Sequence, residues 1–176
     1  MTEPRSLLLV PVRAAEEAVS PWRATWPAES QGLPGHITLL GPFLPPDRID
    51  DAVRERLGVI FAHVKPIDFR LQTVRAFESA VYLAPDPATP FAELTALLWR
   101  EWPQCPPYGE RFDEPVPHLT VAVPGETDIL EVVAAALGER LPLRARGERA
   151  ELWIQDDTGV WRPADSFLFA GGRPPV

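Results

Sequence analysis

The sequence contains almost no cysteine, lysine or methionine. Cys105 is its only cysteine, and Lys65 is the only lysine among 17 basic residues. A single cysteine excludes a disulfide within one chain and a metal site built from several thiolates. Because every other basic residue is arginine, we attribute the shortage of lysine to genomic composition rather than to function.

Positive charge is also in short supply. The 25 acidic residues outweigh the 17 basic ones, so the net charge is −8. Non-specific affinity for nucleic acid comes mainly from clustered lysine and arginine, and we therefore expect no long nucleic acid as a partner. A local polar pocket for a small or terminal phosphate is compatible with an acidic protein.

Long hydrophobic runs are missing as well. The apolar segment at residues 7–10 is followed by Pro11 and Arg13, which makes it too short for a signal peptide or a membrane anchor. We expect a cytoplasmic protein with no membrane partner. Since no heptad pattern or large apolar stripe is left over, we also expect a monomer.

Several familiar catalytic motifs are absent, namely glycine-rich phosphate loops, the G-x-S-x-G nucleophile elbow and HExxH. The sequence instead repeats one four-residue frame, which reads His36-Ile37-Thr38-Leu39 and His118-Leu119-Thr120-Val121. Two such frames among three histidines arise by chance roughly once in a hundred sequences of this composition. The repetition therefore indicates a function.

The frame predicts a strand that presents one histidine and one threonine on the same face, because successive side chains alternate. Histidine titrates near neutrality, so a pair can act as general base and general acid. Thr38 and Thr120 can donate hydrogen bonds to phosphate oxygens. This set suits in-line displacement at an activated phosphorus, such as a strained cyclic phosphodiester. Two histidines alone make an incomplete zinc site, so we expect no metal and no cofactor.

The order of predicted elements occurs twice along the chain. A strand ending in proline, a helix ending in Trp-Arg and a His-x-Thr strand are followed by a proline turn, a helix and another strand. We therefore predict an α+β fold with two pseudo-symmetric lobes, each supplying one motif strand to a shared cleft. All 176 residues are placed in a single bilobal domain, with approximate repeats at 6–78 and 79–147 and closing strands at 149–170. The predicted helices span about 14–26, 47–63, 90–102 and 128–137. Pro21 must start, kink or end whatever helix forms in the first of these segments.

With these residues, the chain resembles the two-histidine (2H) phosphoesterases. Within that superfamily, the resemblance is to the bacterial 2′-5′ RNA ligase-like and cyclic phosphodiesterase branch. The resemblance is carried by residues 34–39 (PGHITL), with Phe43 just beyond, and by residues 116–122 (VPHLTVA). The strand pair at 69–82 and the closing strand at 151–153 also fall where that family has them. The double motif is specific for the superfamily but not for a substrate.

The resemblance implies two antiparallel sheets with flanking helices around a central cleft. It implies metal-independent cleavage of a 2′,3′-cyclic phosphate to a 2′-phosphomonoester, or cleavage of a related nucleotide phosphodiester, with ligation of 2′-5′ RNA ends as the reverse direction in some relatives. His36 and His118 match the catalytic residues of the family, and Thr38 and Thr120 match its phosphate-binding residues. The acidic balance favours a nucleotide, a short RNA end or a nucleotide-derived metabolite as the substrate.

Other residues are weaker candidates for contact with the substrate. Phe43 and Tyr82 can stack on a base, although core packing is the alternative use for both. The loop at 103–116, which contains Tyr108 and Arg111, is a candidate for substrate selection. The closing hairpin carries two tryptophans, 153 and 161, one of which is a candidate for the cleft mouth. His63 lacks a threonine two positions later, and we expect it to cap a helix end.

Two other functions can use the same residues. One is a catalytically inactive module that binds a nucleotide or an RNA end in the same cleft. The other is a different phosphoryl or acyl chemistry adapted to two histidines. Both motifs are intact, which argues against the inactive module.

Overall fold

A computed structural model describes residues 5–27, 30, 32–110, 115–124 and 129–171. The fold is α+β, as predicted, with antiparallel strand pairs throughout the described sheet. The strands are β1 (Ser6–Pro11), β2 (His36–Leu40), β3 (Ile67–Phe77), β4 (Ala80–Asp86), β5 (Leu119–Ala122), β6 (Leu143–Gly147), β7 (Arg149–Gln155) and β8 (Trp161–Leu168). The α-helices are α1 (Glu16–Val19), α2 (Asp51–Ala62), α3 (Thr89–Glu101) and α4 (Ile129–Gly138).

Three of the four predicted helices are confirmed, and local chemistry explains the ends of α2. The Asp50 side chain accepts a hydrogen bond of 2.9 Å from the backbone N–H of Val53, which is an N-cap. At the other end, Nδ1 of His63 donates to the Val59 carbonyl at 2.7 Å. The expectation that His63 caps a helix is therefore confirmed.

The helical segment predicted at 14–26 is interrupted at Pro21, and this confirms the expectation that Pro21 starts, kinks or ends a helix. The segment consists of a 3₁₀ turn at Arg13–Ala15, the single turn α1 and a second 3₁₀ stretch at Ser20–Thr25. Pro21 lies at the start of that second stretch and has no N–H to donate to an α-helical ladder. The chain therefore forms a 3₁₀ stretch instead of continuing the α-helix.

The strands form one eight-stranded sheet in the order β6-β3-β4-β5-β2-β1-β7-β8. We expected two sheets; the structure has one, because the two motif strands pair directly at Ile37 and Leu119. This central pair has three strands on either side. The strand β3 lies beside β4, in the half that carries the second motif. The repeat bounds at 6–78 and 79–147 stay a prediction.

The core lies on one face of the central strands. Because side chains alternate along a strand, the aliphatic side chains of the motifs face this core and the histidines and threonines face the other side. The aliphatic residues of both motifs are at most 1% exposed, and α3 packs against β2. Burying each such side chain stabilises the fold by about 1.5–3 kcal/mol. The motif histidines and threonines therefore point away from this core. Within the described ranges, no helix is long and apolar enough to cross a membrane.

Truncation of Leu119, at the centre of the pairing between β2 and β5, tests the register of these two strands. Leu119→Ala should lower the free energy of unfolding by about 3 kcal/mol, because it leaves a cavity below the site. The same truncation at Leu97, which is 36% exposed on α3, should cost less than about 0.5 kcal/mol. Urea denaturation measures both. Equal losses would show that Leu119 does not hold the two strands together.

Candidate active site

The pairing of β2 with β5 brings the four predicted motif residues together. Ile37 lies opposite Leu119 in an antiparallel ladder, so His36 is in register with Thr120 and Thr38 with His118. Opposite residues in such a ladder have Cα atoms about 4.5–5.5 Å apart. All four side chains are half-buried on one face of the sheet. The result is a compact patch of two imidazoles and two hydroxyls.

Both imidazoles are oriented by the same backbone contact. Nδ1 of His36 lies 2.8 Å from the Pro34 carbonyl oxygen, and Nδ1 of His118 lies 2.7 Å from the Val116 carbonyl oxygen. A carbonyl oxygen only accepts, so Nδ1 is the protonated nitrogen in each ring. The neutral rings therefore keep a lone pair on Nε2, where a proton can be taken up.

Burial favours the neutral form of both rings. It lowers the pKa of His36 to about 4, against the opposing effect of the Pro34 carbonyl, and the charges of His118 and Arg23 lower it further. Burial also lowers the pKa of His118, opposed by the Val116 carbonyl. At neutral pH the unliganded site therefore holds two neutral imidazoles.

Three aromatic rings surround His118. Tyr108 stacks on the imidazole with ring centres 5.6 Å apart, while Phe77 and Tyr82 meet it edge to face at 5.1 and 5.5 Å. Tyr82 also stacks on Phe77 at 4.2 Å. The predicted candidate Tyr82 thus contacts a motif histidine, but it is only 4% exposed, and its role in substrate binding stays a prediction. Phe77 was not singled out, since an aromatic residue at a strand end gives no signal of its own.

Tyr108 comes from the loop that we singled out for substrate selection. Its φ of 54° is uncommon for a residue with a side chain. Its N–H donates to the Gly41 carbonyl at 2.8 Å, which holds this part of the loop against the end of β2. Burial raises the pKa of the Tyr108 phenol, so the hydroxyl stays protonated. Arg111 of the same loop lies outside the described residues.

The surroundings of His36 are polar instead of aromatic. Glu16 accepts a hydrogen bond of 3.0 Å from the N–H of Gly35, next to His36, and also forms an ion pair with Arg23. The Arg23 guanidinium lies 5.5 Å from the centre of the Trp26 ring, whose Nε1 donates to the Val121 carbonyl. These contacts fix the chain that enters β2 against β5. In the sequence, Glu16 looks like an ordinary charge on a helix surface.

A cavity of about 660 Å³ opens beside Thr38 and His118. One wall is formed by Tyr108 and by the β3–β4 hairpin, with Phe77 and Ser79. His36 and Thr120 lie on the same sheet face but are not among its lining residues. The cavity is also lined by the start of β1 and by separate residues of other segments, namely Arg5, Ser6, Leu7, Ser30 and Trp161.

Phe43 is not placed where it could contact a substrate. It is 5% exposed and meets Trp102 edge to face, with ring centres 5.2 Å apart. The prediction that it binds substrate is therefore not supported, and core packing is the use that the structure shows. Of the two tryptophans on the closing hairpin, Trp161 reaches the cavity, whereas Trp153 donates to Glu151 at 2.9 Å.

The site offers no ready arrangement for a metal. Across the part of the chain that the structure describes, no three histidine, cysteine, aspartate or glutamate side chains group closely enough to hold an ion. Cys105 is buried, and burial raises the pKa of its thiol. The polar groups that face the cavity are imidazole, hydroxyl and guanidinium.

Comparison with known proteins assigns the family. The family model described as the 2′-5′ RNA ligase superfamily matches residues 10–159, which include both motifs. The chain belongs to the 2′-5′ RNA ligase superfamily. This confirms the resemblance to two-histidine phosphoesterases that the motifs indicate. A search of curated proteins gives no match to the sequence.

Solved structures show the same superfamily fold at low sequence identity. LigT of E. coli, complexed with 3′-AMP, superimposes with a TM-score of 0.58 at 16% identity, over 95% of this chain and 99% of the other. TT0787 of Thermus thermophilus gives a TM-score of 0.56 at 17% identity, over 96% and 100%. A structure described as a phosphoesterase gives 0.55 at 16% identity, over 96% and 99%. The fold therefore covers the whole chain.

The low pKa of His36 predicts a stability that depends on pH. The unfolded chain binds a proton at this histidine near pH 6.5, but the folded protein does so only near pH 4. The unfolded state therefore holds more protons between these values, and stability falls as the pH is lowered. His36 should contribute a loss of about 2 kcal/mol between pH 7 and pH 4.5.

His36→Asn should remove this part of the pH dependence. The matched control is His63→Asn, which replaces a half-buried histidine outside the site and should keep the wild-type profile. Denaturant unfolding at the two pH values measures the difference for each variant. If His36→Asn and wild type lose the same stability, His36 does not have a lowered pKa.

Proposed function

We propose that the protein is an enzyme that hydrolyses a 2′,3′-cyclic phosphate to a 2′-phosphomonoester without a metal ion. The substrate is a nucleotide, a short RNA end or a nucleotide-derived metabolite. One observation carries the proposal: two imidazoles with Nδ1 anchored on backbone carbonyls lie beside two threonine hydroxyls on adjacent strands. This is a general acid–base pair with hydrogen-bond donors for a phosphate.

The reaction divides between the two histidines. Nε2 of one neutral imidazole takes a proton from water as the water oxygen attacks phosphorus. The bond from phosphorus to O3′ breaks on the opposite side, and the other histidine, protonated at Nε2, donates its proton to O3′. The Thr38 and Thr120 hydroxyls donate to the non-bridging oxygens, where negative charge develops. In the same direction, with a ribose 5′-hydroxyl in place of water as the nucleophile, these steps form a 2′-5′ linkage and release O3′ as a hydroxyl.

The substrate itself supplies the protonation state that the reaction needs. Burial keeps both rings neutral in the unliganded site, so one of them must gain a proton before it can act as the acid. A cyclic phosphate carries a negative charge, and a nearby negative charge raises the pKa of histidine. Binding therefore converts two neutral bases into a base and an acid.

Cavity size and lining support a substrate of nucleotide size. A volume of about 660 Å³ lies within the range of about 300–1,000 Å³ that small-molecule sites usually have. Phe77, Tyr108 and Trp161 offer aromatic faces on which a base can stack. The structural relative LigT of E. coli has been solved with 3′-AMP, NADP+ and phosphate. The net charge of −8 favours a small ligand over long RNA.

Replacement of either motif histidine tests the proposal. His36→Gln and His118→Gln should each lower kcat for adenosine 2′,3′-cyclic phosphate by about 10²–10⁴-fold, because each removes one proton transfer. His63→Gln should leave kcat unchanged. The measurement is the rate of 2′-AMP formation in the presence of EDTA. Wild-type activity in either motif variant would contradict the mechanism, and nucleotide binding without turnover would favour the inactive binding module.

A further inference from the structure

The described wall of the cavity carries one permanent charge. Among the described residues that line it, Arg5 is the only lysine, arginine, aspartate or glutamate. The other polar side chains in this lining are His118, Thr38, Tyr108, Trp161 and three serines. In a protein with a net charge of −8, a cation that faces the cavity marks a place where an anion is favoured.

Arg5 is held in place without being neutralised. Its Nε donates to Oε1 of Gln155 at 3.1 Å, and the Gln155 N–H donates to the Arg5 carbonyl at 2.8 Å. Gln155 is 3% exposed and donates its own Nε2 to the Gly159 carbonyl. Within the described ranges no carboxylate forms an ion pair with Arg5. Among the described residues, neither an ion pair nor a hydrogen bond engages the terminal nitrogens of this guanidinium.

The backbone of Arg5 is farther from the motif residues than the width of one phosphate group. On β1, Leu9 is opposite Thr38, and Arg5 precedes Leu9 by four residues. At about 3.3 Å per residue, its backbone is roughly 13 Å along the strand from the level of Thr38. Arg5 and Thr38 nevertheless line the same cavity, so one ligand can contact both side chains. The separation between the two residues leaves room for a sugar ring between two phosphate groups.

We propose that Arg5 forms a second anion subsite that binds the 5′-phosphate of the substrate. The preferred substrate class is then a nucleotide that carries a 5′-phosphate or a diphosphate in addition to its 2′,3′-cyclic phosphate. The planar guanidinium suits two parallel hydrogen bonds to phosphate oxygens. The inference rests on the proposed hydrolysis, because the cyclic phosphate between the motif histidines sets the orientation of the ribose.

Substrate pairs that differ only at the 5′ position test the subsite. Wild type should have a kcat/KM about 10–100-fold higher for 5′-phosphorylated adenosine 2′,3′-cyclic phosphate than for the 5′-hydroxyl compound. Arg5→Ala should abolish the preference by slowing only the phosphorylated substrate. Arg5→Lys, which restores a charge without the planar fork, should recover part of it.

Arg162→Ala is the matched control. Arg162 follows Trp161 on β8, its side chain is 70% exposed, and it pairs with Asp156 outside the cavity. The variant changes the net charge by the same amount as Arg5→Ala, so it should keep the preference at the same ionic strength. Denaturant unfolding of each variant reports whether the fold is intact.

Two results would overturn the subsite: equal kcat/KM for both substrates in wild type, or an equal loss on both in Arg5→Ala. Calorimetric binding of adenosine 2′-phosphate and adenosine 2′,5′-bisphosphate separates this failure from failure of the proposed function. If wild type turns over neither substrate, the hydrolase proposal fails. Tighter binding of the bisphosphate that is lost in Arg5→Ala would still support the subsite, and equal binding would contradict it.

Discussion

The hydrogen bond from each imidazole Nδ1 to a carbonyl of its own chain is the constraint on which the site depends. It joins His36 to Pro34 and His118 to Val116, two residues earlier in both cases. A donor bond to a carbonyl fixes both the tautomer and the direction of the ring. The Ile37–Leu119 pairing then sets the distance between the two rings. General acid–base chemistry needs both conditions, because proton transfer depends on geometry before it depends on pKa.

The strand pair is nearly symmetric, but what surrounds it is not. His118 is enclosed by aromatic rings, whereas His36 lies near Arg23 and next to a backbone N–H held by Glu16. Burial lowers both pKa values, so neither environment alone produces an acid. An anionic substrate can bias two such rings differently. The fold thus supplies two neutral imidazoles in different surroundings, and in the proposed mechanism the ligand makes one of them the acid.

Local sequence patterns predicted the motif residues at the centre of the site, whereas the other residues of the cavity are brought there by long-range packing. The His-x-Thr alternation is readable because period two is a property of any strand. Arg5 and Phe77 have no comparable signal, since each reaches the cavity only when distant strands curl together. The single sheet also follows from one long-range pairing, between β2 and β5. Two outcomes have local causes that the sequence indicates: Pro21 interrupts the helical segment at 14–26, and Phe43 packs in the core against Trp102.

The most direct test of the central claim is ¹⁵N NMR of the imidazole nitrogens in histidine-labelled protein at pH 7. We expect His36 and His118 both to be neutral, with the proton on Nδ1 and a lone pair on Nε2. We also expect inorganic phosphate to protonate Nε2 of one ring and to leave the other neutral. A ring with its proton on Nε2, or two charged rings before phosphate is added, would contradict this mechanism.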